Sequence, residues 1–297
     1  MTETQPGTEA REEFPYGVGR AESADGPIEY TRYDAASALA VLARSHDGDE
    51  PTEIVILSDE QLLGVEGHRR TQPVALPWAE DHPEDREVVA AAGVRSLMAS
   101  GLVSIGEDQE TGERRWLVDP SVNGSLVLRR TADLIASAER QVRSEQGIQT
   151  ARIYWYVHPE GVLEEEVTPS GMHVFRAAQP AMLPERMVLL IDQDAVASAA
   201  GDPVTLTDED LQEDGEYAGR LADARAITIV SSLDTRSEAV KQLIMYAGTD
   251  EVLVQQTEED PSADRAVDAP ELEISLKAVD REELLELAAW FFVREEG

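Results

Sequence analysis

Ile153-Tyr154-Trp155-Tyr156-Val157, Gly161 to Val167 and Met172 to Phe175 follow one another, separated by Pro159 to Gly161 and by Pro169-Ser170-Gly171. Aromatic and β-branched residues bounded by proline and glycine turns predict three successive antiparallel strands. On the first of these, Tyr154 and Tyr156 share one face and Trp155 takes the other. The middle of the chain is therefore a sheet, and the fold is decided by what flanks it.

Toward the N-terminus, Ile54-Val55-Ile56-Leu57 suits a buried strand, and Ala35, Leu39, Leu42 and Ala43 are spaced for a helix before it. Ser58 with Gln61 forms a capping box for a short helix carrying Leu62 and Leu63. A longer helix is predicted after Pro83, with Glu84 and Asp85 at its positive end, Val89, Gly93 and Leu97 on one face and Gly101 as its C-cap. Leu102-Val103 and Arg114 to Val118, joined across the acidic excursion Glu107 to Glu113, read as a hairpin, so helix and hairpin together suggest a winged-helix-like unit. A further helix is predicted from Thr131 to Arg143, with Leu134, Ile135, Ala138 and Val142 as its stripe.

Toward the C-terminus, Met187 to Ile191 reads as a buried strand and Asp194 to Ala200 as weakly helical. Asp202 to Arg225 is acidic and divides the chain. Beyond it come the strand Ile227 to Val230, a short amphipathic segment over Ser237 to Tyr246, and the strand Val252 to Val254. Leu272 to Ala278 then alternates as a half-buried strand, and a helix capped by Asp280 and Glu283 carries Leu284, Leu285, Ala288, Phe291 and Phe292. The expected class is α/β in the α+β sense, with two mixed lobes of antiparallel sheet and helix. The divisions are an acidic arm over 1–27, a first lobe over 28–200, an acidic connection over 201–225 and second-lobe elements over 226–297.

Composition narrows the partners. The 297 residues hold 60 acidic against 25 basic side chains, net -35, and no cysteine. Disulfides and thiolate chemistry are excluded, and so much negative charge opposes nucleic-acid backbones and anionic membranes while favouring a basic or apolar protein partner. Glu3, Glu9, Glu12 and Glu13 begin the chain without an apolar signal segment. No run approaches the roughly 18 apolar residues of a membrane helix, so no membrane insertion and a cytoplasmic location are expected.

Ser96-Leu97-Met98-Ala99-Ser100-Gly101-Leu102-Val103 leading to Val118-Asp119-Pro120, then Ser231 to Arg236, the strand around Val252 and the final strand and helix, resemble segments of the EspG-type chaperones of ESX, or type VII, secretion in actinobacteria. The resemblance runs from about Ile28 to Val293. It implies a quasi-twofold α/β architecture and non-enzymatic binding of secreted PE and PPE partners, with no cofactor.

Candidate sites follow from the residues themselves. Tyr154 and Tyr156 are the predicted partner-binding pair, in a groove able to engage a helical protein. Arg114, Arg115, Arg129 and Arg130 are the phosphate contacts of the alternative, a winged-helix DNA-binding regulator, with Trp116 beside them. His158 and His173, on neighbouring strands near Glu164, Glu165 and Glu166, are the only set resembling a zinc site, and their spacing matches no tight ligand signature. Asp208 to Asp214 lacks the donor spacing of an EF-hand, Ser58, Ser231 and Ser232 sit in no nucleophile elbow, and Gly101, Gly106 and Gly112 make no dinucleotide fingerprint. A non-enzymatic protein-binding adaptor or chaperone is the function expected.

Overall fold

The computed structural model describes residues 28–46, 50–83, 86–107, 114–145, 147–206, 210, 216–257 and 274–294. The predicted arm, the acidic turn after Glu107, Glu84 and Asp85, and all of 258–273 fall outside those residues.

Ten strands form one antiparallel sheet. In chain order its members are β1 (Thr52–Ser58), β4 (Leu134–Ser144), β5 (Gly147–His158), β6 (Gly161–Val167), β7 (Met172–Ala178), β8 (Val204–Leu206), β9 (Ala226–Asp234), β10 (Val240–Ala247), β11 (Val252–Thr257) and β12 (Ile274–Val279). The remaining two strands, β2 (Val103–Glu107) and β3 (Arg114–Val118), make the separate hairpin that the sequence predicts. In space the large sheet runs β1-β7-β6-β5-β4-β9-β10-β11-β12-β8, a palindrome about the β4–β9 seam. Each half is an edge strand and a four-strand meander, followed by a helix: α6 (Leu183–Ile191) in the first half, α8 (Arg281–Phe291) in the second.

The pairing registers repeat residue by residue about the central pair Ala138·Val230. Ala138 opposes Ile153 as Val230 opposes Leu243. Tyr154 opposes Glu165 as Ile244 opposes Gln255, and Glu164 opposes Arg176 as Val254 opposes Lys277. Continued without a gap, the last correspondence carries Leu183 to Leu284 and Arg186 to Leu287. Even a side-chain bond is repeated: the Tyr156 hydroxyl donates to Glu165 at 2.6 Å, and that of Tyr246 donates to Gln255 at 2.7 Å. The two-lobed α+β expectation is met by two halves of one sheet.

Helices cover the sheet unevenly. On one face of the first half lie α1 (Arg32–Ala43), α2 (Asp59–Glu66) and α5 (Pro120–Thr131), with α3 (Pro77–Glu80) and α4 (Arg86–Ala99) packed outside. The same face of the second half carries α7 (Glu216–Ala222) over Leu206, Leu253 and Leu276. The opposite face is closed by α6 and α8, whose Met187, Ile191, Leu284 and Phe291 bury against Ala136, Trp155, Val230 and Met245.

Caps set the helix starts. Thr31 and Asp34 exchange backbone and side-chain hydrogen bonds at the head of α1, and Ser58 with Gln61 does the same for α2. Asp280 accepts from the Glu283 amide, while the Glu283 side chain turns instead to Lys277. Two glycines allow backbones to touch: a Cβ at Gly93 of α4 would stand 1.9 Å from the Glu60 carbonyl oxygen, and one at Gly124 of α5 would stand 2.3 Å from that of Ser37.

Three expectations about elements are corrected, and a fourth, the amphipathic segment, is given its type. The helix predicted over 131–143 is strand β4, whose burial alternates strictly from Leu134 to Arg140; the helix lies just before it, started by Asp119 and Pro120. Leu134, Ala138 and Val142 satisfy both periods, so the stripe alone did not discriminate. Met187 to Ile191 belongs to helix α6, an apolar run too short to show its period. Residues 194–200 form no helix, because the Asp192 carboxylate takes the amides of Val196 and Ala197 and Ala195 turns to φ 54. The segment over 237–246 supplies strand β10, with Lys241, Leu243 and Met245 buried and Val240 and Gln242 exposed.

Candidate functional site

Alternation on β4, β9 and β10 sends Ala136, Ala138, Val230, Leu243 and Met245 beneath α6 and α8. The residues between them point to the other face. There α5 covers one flank and α7 the other, and among the described residues no helix covers the strip straddling the seam. Ser137, Glu139, Arg152, Tyr154, Ile229 and Ser231 line a shallow cleft of about 180 Å³ along it. Its rim continues through Leu233 and Val240, large apolar side chains exposed at 37% and 67%.

The strip has two chemical characters. On the first-half side, Arg152 Nε donates to Glu139 at 2.8 Å and Gln141 to the other carboxylate oxygen at 2.9 Å. Burial works to raise the Glu139 pKa, but those donors outweigh it and hold the group below the usual carboxylate range. Tyr154 lies half-buried beside this pair; burial first, and the nearby Glu165 charge second, push its hydroxyl above the ordinary phenol value. On the second-half side the positions matching Glu139, Arg152, Gln141 and Tyr154 are the uncharged Ser231, Gln242, Leu233 and Ile244, with Gln242 donating to Ser231 at 3.2 Å and Ile227 and Ile229 beside them. An aromatic with a polar tip beside an aliphatic surface is a common composition for a contact core.

The second predicted contact residue is not at this surface. Tyr156 is fully enclosed under α5 and its hydroxyl is tied to Glu165, so it is a core residue; sharing a strand face with Tyr154 does not expose it, because α5 covers only its end of that face.

Beneath α2 and α5 the same face holds a chain of buried charges. His173 on β7 has Nε2 2.7 Å from Asp59 Oδ1 and Nδ1 2.6 Å from Glu165 Oε1. Glu165 Oε2 accepts from Tyr156 and from Arg129 Nε at 3.0 Å. Arg129 Nη1 lies 3.3 Å from Glu66, which also takes Arg130 at 3.1 Å. The second oxygen of Asp59 accepts the amides of Trp78 and Ala79 at 2.8 and 3.0 Å. A neutral imidazole has a single N–H, whereas both ring nitrogens here face carboxylates. His173 is accordingly an imidazolium, and with Asp59, Glu66, Glu165, Arg129 and Arg130 it makes the cluster electrically neutral. Burial alone would lower its pKa, but the hydrogen bonds to Asp59 and Glu165 prevail and raise it. Glu165 is lowered, its burial being outweighed by Arg129 and His173, while burial and Glu165 push Tyr156 well up.

This cluster corrects one more expectation. Arg129 is wholly buried and Arg130 is bonded to Glu66 and the Thr71 carbonyl, so the pair faces carboxylates inside the fold rather than phosphate outside. Side chains of Arg114 and Arg115 fall outside the described residues. The histidines do not form a zinc set: His158 bonds to the Leu128 carbonyl at 3.1 Å while His173 serves its two carboxylates. Glu164, one residue from Glu165, faces the opposite side of the sheet and binds Trp155 Nε1, Arg176 and Arg186. Among the described residues no group of three or more acidic or histidine side chains is arranged to hold a metal ion, and no helix is long and apolar enough to cross a membrane. What the sequence reading missed was the ion clusters themselves, although Glu164-Glu165-Glu166 inside an otherwise apolar strand signalled buried acids needing cations.

No protein-family model matches the chain, and no curated protein matches it. Among solved structures it is similar to that of the Mycobacterium tuberculosis type VII secretion system chaperone EspG5 in complex with the PE25-PPE41 dimer. That match has 11% identity and a TM-score of 0.43, over 67% of this chain and 83% of that one. It is a remote structural resemblance only.

Proposed function

We propose that this chain is a non-enzymatic protein-binding adaptor or chaperone that receives a helical segment of its partner on the open strip across the β4–β9 seam. The observation that carries the reading is a sheet surface left open among the described residues, with Tyr154 and the Glu139–Arg152 ion pair on one side, uncharged Ile229, Ser231, Leu233, Gln242 and Ile244 on the other, and a helical flank at each end. An amphipathic helix fits it, laying apolar side chains on Ile229, Ile244 and Leu233 and its polar edge along Glu139 and Arg152. The finer reading, a secreted client of an ESX-like system held in the cytoplasm, is supported by the segment resemblance over 96–103, 118–120 and 231–236.

Tyr154 is the anchor. Its loss removes an aromatic contact worth about 2 kcal/mol or more, roughly 30-fold in affinity, without emptying the core. Co-purification of tagged full-length chain from its native host, wild type beside Tyr154→Ala, tests this. A stoichiometric helical protein recovered with the wild type and depleted with an equally stable variant supports the proposal. Equal recovery with both would remove the strip from the interface.

A further inference from the structure

The internal repeat marks a second place where a partner side chain belongs. In the first half the margin between α6 and the sheet is filled from within: Arg186 reaches from α6 to grip Glu164 through Nε, at 2.7 Å, and Nη2, and Arg176 joins them at 3.3 Å. In the second half the corresponding residues are Leu287, Val254 and Lys277. The ion cluster is missing there, and a groove of about 380 Å³ stands in its place.

Its floor is apolar, formed by Val254, Val279 and Leu287. Its rim is polar, formed by Gln256, Glu283 and Glu286. Lys277 engages only one oxygen of Glu283, at 2.7 Å; the other oxygen is buried without a hydrogen-bond partner among the described residues. An apolar floor ending in carboxylates fits a long basic side chain, whose methylenes lie on the floor while the cation meets the rim. A planar guanidinium supplies several donors in a fixed fork and suits a rim that offers the Gln256 amide and the Glu283 and Glu286 carboxylates together better than a point-charge ammonium does. The net charge of -35 favours approach of such a basic group.

We propose that this groove between α8 and strands β11 and β12 is a receptor for an arginine side chain of a partner protein, which takes up in trans the position that Arg186 holds in cis in the other half. It lies on the sheet face opposite Tyr154, so it is a separate contact and stands or falls independently of the strip.

The test is amide NMR of the isotopically labelled full chain titrated with N-acetyl-arginine methylamide, beside its neutral citrulline analogue. Expected are saturable shifts at Gln256, Ser275, Lys277 and Leu287 with the arginine compound, at least several-fold weaker with citrulline. Leu287→Arg, which supplies the guanidinium from within, is expected to abolish the shifts while the chain melts at or near the wild-type temperature. Glu286→Gln, an exposed change, is expected to weaken them. Absence of shifts at these amides, equal shifts with citrulline, or undiminished shifts in folded Leu287→Arg overturns the proposal.

Discussion

Replacing His173 with alanine isolates the imidazolium at the centre of the buried cluster. The substitution deletes two charge-assisted hydrogen bonds, to Asp59 and Glu165, in a site with no solvent to replace them. Breaking one partner out of a buried ion network costs about 3–5 kcal/mol. Here Asp59 keeps two backbone amides, and Glu165 keeps Arg129 and Tyr156, so the lower end of that range, about 3 kcal/mol, is expected. The pH dependence is the sharper signature. A histidine whose folded pKa is raised contributes its full stabilisation below the unfolded value of about 6.5 and loses it as pH climbs through the folded value. The stability gap between wild type and His173→Ala should therefore be widest in mildly acidic solution and narrow toward alkaline pH. Below that window a second effect enters, because Glu165, with its lowered pKa, stabilises above the carboxylate range and loses that contribution as it protonates. Urea unfolding at a series of pH values from about 3 to about 9 measures both. A gap under about 0.5 kcal/mol, or one that grows with rising pH, would refute the imidazolium assignment.

Other perturbations follow from the same geometry. Arg129→Met should destabilise by about 3–5 kcal/mol, measured by urea midpoint, because Glu165 and Glu66 lose a buried cation; a surface arginine would show almost nothing. Gly93→Ala should cost about 1–3 kcal/mol by forcing α4 away from Glu60, and a neutral melting temperature would contradict the close approach. Tyr156→Ala should lose about 3–5 kcal/mol by thermal or chemical unfolding, whereas Tyr154→Ala should lose far less. Tyr156→Phe removes a hydrogen bond to a carboxylate and should cost about 1.5–3 kcal/mol, against about 1 kcal/mol for Tyr246→Phe, whose acceptor is the neutral Gln255; equal costs would argue against the charge difference between the two halves.

Much of the fold is legible where composition and period agree. The meander over 153–175 is set by β-branched and aromatic runs cut by proline and glycine, and α2 and α8 announce themselves through Ser58 and Asp280 as caps, whereas α1 is read from its apolar spacing and its Thr31 cap is seen only in the structure. Misreadings fall on segments whose apolar spacing fits more than one period or whose apolar run is short. β4 packs one side of the sheet on α6 and α8 and opens the other to the strip, so Leu134, Ile135 and Ala138 supply apolar residues in an order that a helix also permits. The ion cluster was illegible for a different reason: Asp59, Arg129 and His173 are far apart in the chain, and only the pairing of β1, β7 and β6 brings them together. Of the site, Tyr154 was visible as an aromatic on a strand. Its separation from Tyr156 was not, because the edge of α5 is a tertiary fact.

The palindromic strand order means that each half guards the other. At the seam β4 and β9 exchange nine residue pairs, from Leu134·Asp234 to Val142·Ala226. Severed in the connection between α6 and β8, either fragment would present that whole ladder as a raw edge, together with an apolar surface from which its neighbour's helix had been stripped. Such fragments would stick to themselves when made alone and restore a whole sheet when made together. The seam is thus a natural breakpoint for a two-piece reporter, in which reassembly of the sheet from separately expressed halves would rebuild the strip that carries Tyr154.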